Sequence, residues 1–252
     1  AAETAPDGFL NRLTLDAQIA DPAGERVLLP VPGSETSVGA ASLAIDFGDG
    51  GGEAWTASLD VTDLNTGGFS AREATLDVNG FAADLLTAHQ RAINFEADGV
   101  VSGIIARRDD VAEALGETIR LNASGDWQEG EPLNLNRATL SGENLAASLS
   151  GTVSDFAFDG EIGVQTSSVA PFSGIAGRDL GGSVDLRATG ELRPISGAFN
   201  LALDGTANDL RLGISTADPL LVGITRITGR LARTVDGFLA DGFRIESDHA
   251  SF

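Results

Sequence analysis

The sequence predicts an all-β chain built as an extended antiparallel sheet, and three observations carry the prediction. Apolar and polar residues alternate at period two over most of the 252 residues, the signature of strands with one apolar face. Turn-forming pairs punctuate the alternation. Helical segments are few and too short to cover a sheet.

The alternation begins at Leu13, Leu15, Ala17 and Ile19, with Thr14, Asp16 and Gln18 between them. It continues through Leu43-Ile45-Phe47, Trp55-Ala57-Leu59-Val61, Ala74-Leu76-Val78, Ile93-Phe95-Ala97 and Ile119-Leu121-Ala123 with Trp127. Further strands are expected at Leu145-Ala147-Leu149, Phe156-Phe158 with Ile162-Val164, Val184-Leu186-Ala188, Phe199-Leu201-Leu203, Leu210-Leu212-Ile214, Ile227 to Leu231 and Phe243-Ile245. The expected turns are Asp49-Gly50, Thr66-Gly67-Gly68, Asn79-Gly80, Asp98-Gly99, Glu129-Gly130, Asp159-Gly160 and Asp236-Gly237. Three short helical turns are expected. Asp109 or Asp110 caps one that ends at Gly116, Asp218-Pro219 starts another, and the third runs from Ser168 to Gly177.

One pattern recurs. Ile93 to Gly99, Ile119 to Gly125 and Val184 to Gly190 all read apolar, polar, apolar, polar, Ala, polar, Gly. The segment from Thr118 lies over that from Ser183 at an offset of 183 − 118 = 65, and the one from Ala74 over that from Ala138, with Leu140 in the place of Leu76, at 138 − 74 = 64. Two independent seeds agree on one period, which points to a repeated structural unit. There is no Met in the chain, and Phe243 to Phe252 stop inside what reads as another copy. The expectation is one continuous repetitive segment over residues 1–252, truncated at both ends.

Composition excludes several functions. Asp and Glu number 37 against 16 basic residues, all Arg, for a net charge of −21. Nucleic acid is not an expected partner, because a phosphate backbone needs a basic stripe. Cys is absent, which removes disulfides and thiol sites. No apolar run reaches the length of a membrane span. Catalytic groups are thin: His89 and His249 are the only histidines, and no Lys completes a phosphate loop. Gly48 to Glu53 lacks the regular Asp spacing of a calcium repeat and reads as a hairpin loop. No catalytic residue, metal ligand or cofactor is expected, and the chain reads as a non-enzyme.

The physical problem is what covers the apolar face. Three apolar side chains per strand leave roughly 5–9 kcal/mol unclaimed if they stay wet, at about 1.5–3 kcal/mol each. The sheet must close as a sandwich or barrel, coil into a β-solenoid, or curl around something other than protein. Small residues such as Ala97, Ala123, Ala147 and Ala188 favour the open form, since they leave room.

The segment Val169-Ala170-Pro171-Phe172-Ser173-Gly174-Ile175-Ala176-Gly177-Arg178-Asp179-Leu180-Gly181-Gly182-Ser183-Val184 to Gly190 resembles the repeats of TamB-like proteins, a branch of the AsmA-like envelope family of Gram-negative bacteria. So do Phe199 to Ala207, Asp218 to Gly223 and Ile227 to Arg233, in that order, and the resemblance is best over 130–252. It implies a curled, U-shaped β-groove in a periplasmic protein of the cell envelope, anchored in the inner membrane by a segment outside this chain. It further implies a conduit for phospholipid between the inner and outer membranes, with an outer-membrane β-barrel as partner. The groove lining is then expected from Leu13, Leu15, Ile19, Leu43, Ile45, Phe47, Trp55, Leu59, Leu76, Val78, Ile93, Phe95, Ile119, Leu121, Trp127, Leu140 and Leu149. It continues through Phe156, Phe158, Ile162, Val184, Leu186, Phe199, Leu201, Leu203, Leu212 and Ile214. Two alternatives stand beside this reading: a structural or adhesive surface array that binds no lipid, and a scaffold for outer-membrane protein assembly.

Overall fold

A computed structural model describes residues 1–29, 36–48, 54–106, 108, 114, 116–194, 196–234 and 237–247. It is all-β, with every described strand pairing antiparallel and with one short helix among the described residues. The chain divides into two compact units, 1–108 with 117–138 and 109–116 with 139–252.

The first unit holds β1 (Ala2–Thr4), β2 (Leu10–Ala20), β3 (Val27–Leu28), β4 (Ser37–Val38), β5 (Ala40–Phe47), β6 (Ala54–Asn65), β7 (Phe69–Ala83), β8 (Ala92–Ser102), β9 (Ile105–Ala106) and β10 (Thr118–Gln128). Its long strands pair in the order β1-β2-β5-β6-β7-β8-β10. The two-residue strands β3, β4 and β9 decorate the connections. β11 (Leu133–Ser141) starts in this unit and ends in the second.

The second unit is a meander of β12 (Ala146–Ser154), β13 (Ala157–Thr166), β14 (Gly181–Arg193), β15 (Ala198–Arg211), β16 (Ile224–Thr234) and β17 (Gly237–Ser247), each paired with the next. The β13–β14 connection carries a 3-10 turn, Ala170–Phe172, and α1 (Ser173–Ala176), which ends at left-handed Gly177. The β15–β16 connection carries a second 3-10 turn, Asp218–Leu220, with Pro219 in its first turn. Both were expected from the sequence. The turn expected after Asp109 or Asp110, and the Asp49-Gly50 and Gly48 to Glu53 loop, fall largely outside the described residues, as do Asp236 and His249. Within each unit the described pairings leave one open sheet, with no pairing that closes it into a barrel or stacks a second sheet upon it.

Three expected turns are strand interiors instead. Asn79-Gly80 lies inside β7, Asp98-Gly99 inside β8 and Asp159-Gly160 inside β13. In each pair the polar residue points to the polar face and the glycine to the apolar one, where a neighbouring side chain fills the space of the missing Cβ. A Cβ on Gly80 would stand 2.7 Å from Trp55 Nε1, and one on Gly160 would stand 2.9 Å from Phe158 Cζ. The β12–β13 reversal falls at Asp155-Phe156, where both residues have positive φ, 48° and 57°. That is the backbone of a tight hairpin turn.

The repeat does not extend to equal structures at both seeds. Ala74 to Ala83 run continuously within β7, whereas Ala138 to Leu149 cover the end of β11, a turn at Gly142 to Leu145 and the start of β12. Gly142 and Asn144 break the strand where Val78 and Gly80 sustain it.

Candidate functional site

Cross-strand register sorts the side chains of the first unit into rows, because directly paired residues share a face. One row is Ile19, Ala41, Val61, Ala74, Val101 and Ile119. The next is Ala17, Leu43, Leu59, Leu76, Gly99 and Leu121, and the third is Leu15, Ile45, Ala57, Val78, Ala97 and Ala123. The fourth runs Leu13, Phe47, Trp55, Gly80, Phe95 and Gly125, with Phe47 edge-on to Trp55 at 5.8 Å. Across these six strands no position of that face is charged. Trp55 Nε1 supplies its one polar atom, and this N–H already donates to the Asn94 carbonyl at 3.0 Å.

The opposite face is polar in the same register. Asp16, Ser58, Asp77, Asp98 and Asn122 share one row, and Asn122 donates to Asp98. The carboxylates therefore stand in a solvated surface, as the alternation indicated. No group of three acidic or histidine side chains placed to hold a metal occurs among the described residues. His89 is exposed, and its backbone N–H donates to Glu129.

The apolar face is shielded but not covered. Most of its side chains are half-buried, and Leu15, Ile19 and Leu121 are 37, 41 and 39% exposed. The chain exposes 15008 Å², whereas two separate compact units of half its mass would expose about 12,600 Å².

The first unit is also curled. Phe9 precedes β2, and Trp127 lies on β10, five strand steps away through β5, β6, β7 and β8. In a flat sheet five steps of about 4.8 Å would hold them about 24 Å apart. Their rings instead stack at 6.0 Å, with the planes parallel. Arg91, just before β8, fixes the same closure: its side chain is 3% exposed and bonds Asp7 at 2.5 Å and Glu129 at 2.9 Å. Its Nε donates to the Leu85 carbonyl at 2.9 Å, and its guanidinium lies 4.4 Å over the Phe9 ring. The hydrogen bond from Arg91 holds the Asp7 carboxyl below the usual carboxylate range, and Asp7 in turn raises the Arg91 pKa. Residues 5–9 thus form a strap across one end of the apolar face.

The second unit repeats the arrangement with a different closure. Its apolar rows include Leu149, Ile162, Ala188, Leu203 and Gly229, then Ala147, Val164, Leu186, Gly205, Ile227 and Ile245. Val153, Phe158, Leu192, Phe199, Arg233 and Phe238 form the row next to the tight turns. At the other end, the β13–β14 and β15–β16 connections bring Val169, Leu210, Leu212 and Leu221 together with Val184 and Ala207 as a small core. Asp218 closes this cap by accepting hydrogen bonds from the backbone N–H groups of Leu212 and Ile214.

Twenty-five of the lining residues expected from the sequence fall on these apolar faces or the small core that caps one; Ile93 and Trp127 pair beyond the fourth row, Leu140 stands opposite Ala147 across the hairpin that Gly142 N–H closes on the Leu145 carbonyl, and Leu212 reaches its place through the cap, because β15 ends at Arg211. Two do not. Phe156 sits at the β12–β13 turn, 77% exposed, because the hairpin reverses there rather than at Asp159-Gly160. Ile214 is exposed in the connection beyond β15. Sequence reasoning missed Phe9, Arg91, Leu192 and Phe238. The first two meet partners 118 and 84 positions away (127 − 9 and 91 − 7), and no local pattern encodes such a contact.

No family model, curated protein or solved structure matches this chain.

Proposed function

We propose that this chain is a non-enzymatic, lipid-shielding β-trough. It forms a stretch of a conduit that carries phospholipid between the inner and outer membranes of a cell envelope, within a longer protein anchored in the inner membrane and working with an outer-membrane β-barrel. One observation carries the reading: in each unit an apolar face spans six strands, uncharged in the rows of the first and carrying Arg233 in the row of the second next to the tight turns, and, among the described residues, no helix or second sheet lies over it. An alkyl chain is the neutral occupant such a surface accepts, since burying an unpaired polar group there costs roughly 1–3 kcal/mol. The resemblance of residues 130–252 to TamB-like repeats agrees with it.

The test is lipid retention after purification from bacterial cells, read by native mass spectrometry with lipid extraction. Leu121→Asp and Leu201→Asp place a carboxylate on the apolar faces and should abolish co-purifying phospholipid. Arg120→Asp, on the polar face of β10, should leave it unchanged. Equal retention in all three variants would reject the reading. The scaffold reading is favoured by β17, which pairs only with β16 among the described residues and exposes Phe238 and Leu239. Capture of an added β-strand along that edge, without lipid, would support it.

A further inference from the structure

We infer that Arg233 is a head-group subsite of the second unit: its guanidinium takes the phosphate of a phospholipid whose alkyl chains lie on the apolar face beside it. The inference rests on the lipid-shielding reading above and adds the residue that recognises the polar part of the occupant.

Arg233 breaks the alternation that the other arginines of β16 keep. Arg226 and Arg230 stand on the polar face, where Arg226 pairs with Asp204 and Arg230 lies opposite Asp241. Arg233 shares its row with Phe158, Leu192, Phe199 and Phe238, and it is the one charged side chain in the apolar rows of either unit. Among the described residues no carboxylate lies within ion-pair distance of it, and none of its five N–H donors is spent on a hydrogen bond.

Two rings set its position. Arg233 stands opposite Phe199 on β15 and Phe238 on β17. Two strand steps of about 4.8 Å would hold those rings about 10 Å apart. Their centres are 6.2 Å apart, so the rings lean together across the Arg233 position. The guanidinium carbon lies 5.5 Å from the centre of the Phe238 ring, which holds the charge beside an apolar surface and leaves its N–H edges for a ligand. The row opens in the same direction: Phe158 is 6% exposed, Phe199 is half-buried and Phe238 is 79% exposed. Arg233, itself exposed, stands at the corner where the apolar face meets water. Inward of it the face is alkyl, with Leu231 opposite Leu201 and then Leu203.

Charge and shape select the ligand. In a chain of net charge −21, an unpaired cation on an apolar face is a local exception to a field that repels anions. A guanidinium fork matches two oxygens of a phosphate. Inorganic phosphate would gain that contact alone, in water, where an exposed ion pair is worth little. A phospholipid adds the burial of its chains on Leu201, Leu203 and Leu231, while the rest of its head group stays in solvent.

Head-group photocrosslinking locates the contact within the second unit. The protein is incubated with phosphatidylcholine vesicles containing a phospholipid that carries a diazirine on its head group, separated from them and irradiated, and adducts are mapped by peptide mass spectrometry. Bound lipid is measured by phosphorus in the same fractions. Adducts are expected around Phe199 and Phe238, falling several-fold in Arg233→Gln, partly kept in Arg233→Lys, and unchanged in Arg230→Gln. Excess inorganic phosphate should leave them in place; their loss would identify a free-phosphate site and overturn the head-group assignment. Bound lipid with equal adducts at that corner in Arg233→Gln, or with adducts elsewhere only, would also overturn it and leave the lipid-shielding reading standing. No bound lipid in the parent chain or any variant would overturn both.

Discussion

Gly80→Ala tests the packing that makes the apolar face continuous. Gly80 lies in β7 beneath the Trp55 indole, which reaches across it from β6 to the Asn94 carbonyl on β8. A Cβ at this position would stand 2.0 Å from the Asn94 oxygen and 2.7 Å from Trp55 Nε1, so both the β7–β8 spacing and the ring must give. Overpacking of this kind costs about 1–3 kcal/mol. Losing the indole hydrogen bond adds about 0.5–1.5 kcal/mol. The variant should therefore be destabilised by about 2–4 kcal/mol in urea unfolding followed by tryptophan fluorescence, with a red shift of the folded-state emission. Gly67→Ala is the control, because a Cβ in that turn meets nothing within 4 Å and should change stability by less than about 0.5 kcal/mol. Equal midpoints and identical spectra for Gly80→Ala and the unsubstituted chain would refute the placement of Trp55 flat across β7.

Phe156→Gly should stabilise the second unit by roughly 0.5–1 kcal/mol, since Phe156 holds a positive φ that a turn glycine adopts without strain; a loss of bound lipid in this variant would show that Phe156 lines the trough after all. The strap has a defined acid response. Asp7 is held below its usual pKa by Arg91, so its contribution is present above the unfolded-state carboxylate pKa and is lost as pH falls through the lower, folded value. Tryptophan emission should stay constant from neutral pH down to about pH 4 and change only below it, whereas a transition near pH 6 would contradict the Asp7–Arg91 assignment. Asp7→Asn should remove that acid transition and loosen the Phe9–Trp127 stack at neutral pH, seen as a red-shifted emission.

Period-two alternation made the all-β class and most of the lining legible, because a strand with one apolar face writes that face into every second residue. The reversals were harder to read. Asp98-Gly99 and Asp155-Phe156 are a turn pair and a non-turn pair by composition, yet β8 runs through the first and the hairpin turns at the second. The deciding interaction lies on another strand: a glycine is kept inside β7, β8 or β10 where a ring or a leucine lies across it. Phe95 Cε1 would be 2.7 Å from a Cβ on Gly125 in this way. Curl was expected from the resemblance, but the contacts that fix it were not legible. It depends on Phe9 meeting Trp127 and on Arg91 meeting Asp7, contacts that only a twisted, closed-up sheet brings together. The end of β15 likewise depends on Asp218 capturing backbone donors from a connection that reads, locally, as further strand.

The odd-numbered face of β10 is apolar and uncovered, and cysteine labelling asks whether lipid lies on it, since the chain has no cysteine of its own. Single cysteines are placed at Ile119, Arg120, Leu121, Asn122 and Ala123 in turn, and maleimide reaction rates are compared with and without phosphatidylcholine vesicles. The account predicts that all five react without lipid and that lipid protects positions 119, 121 and 123 alone. Unreactive odd positions without lipid, as in a closed dry core, or equal protection of both faces, would contradict it.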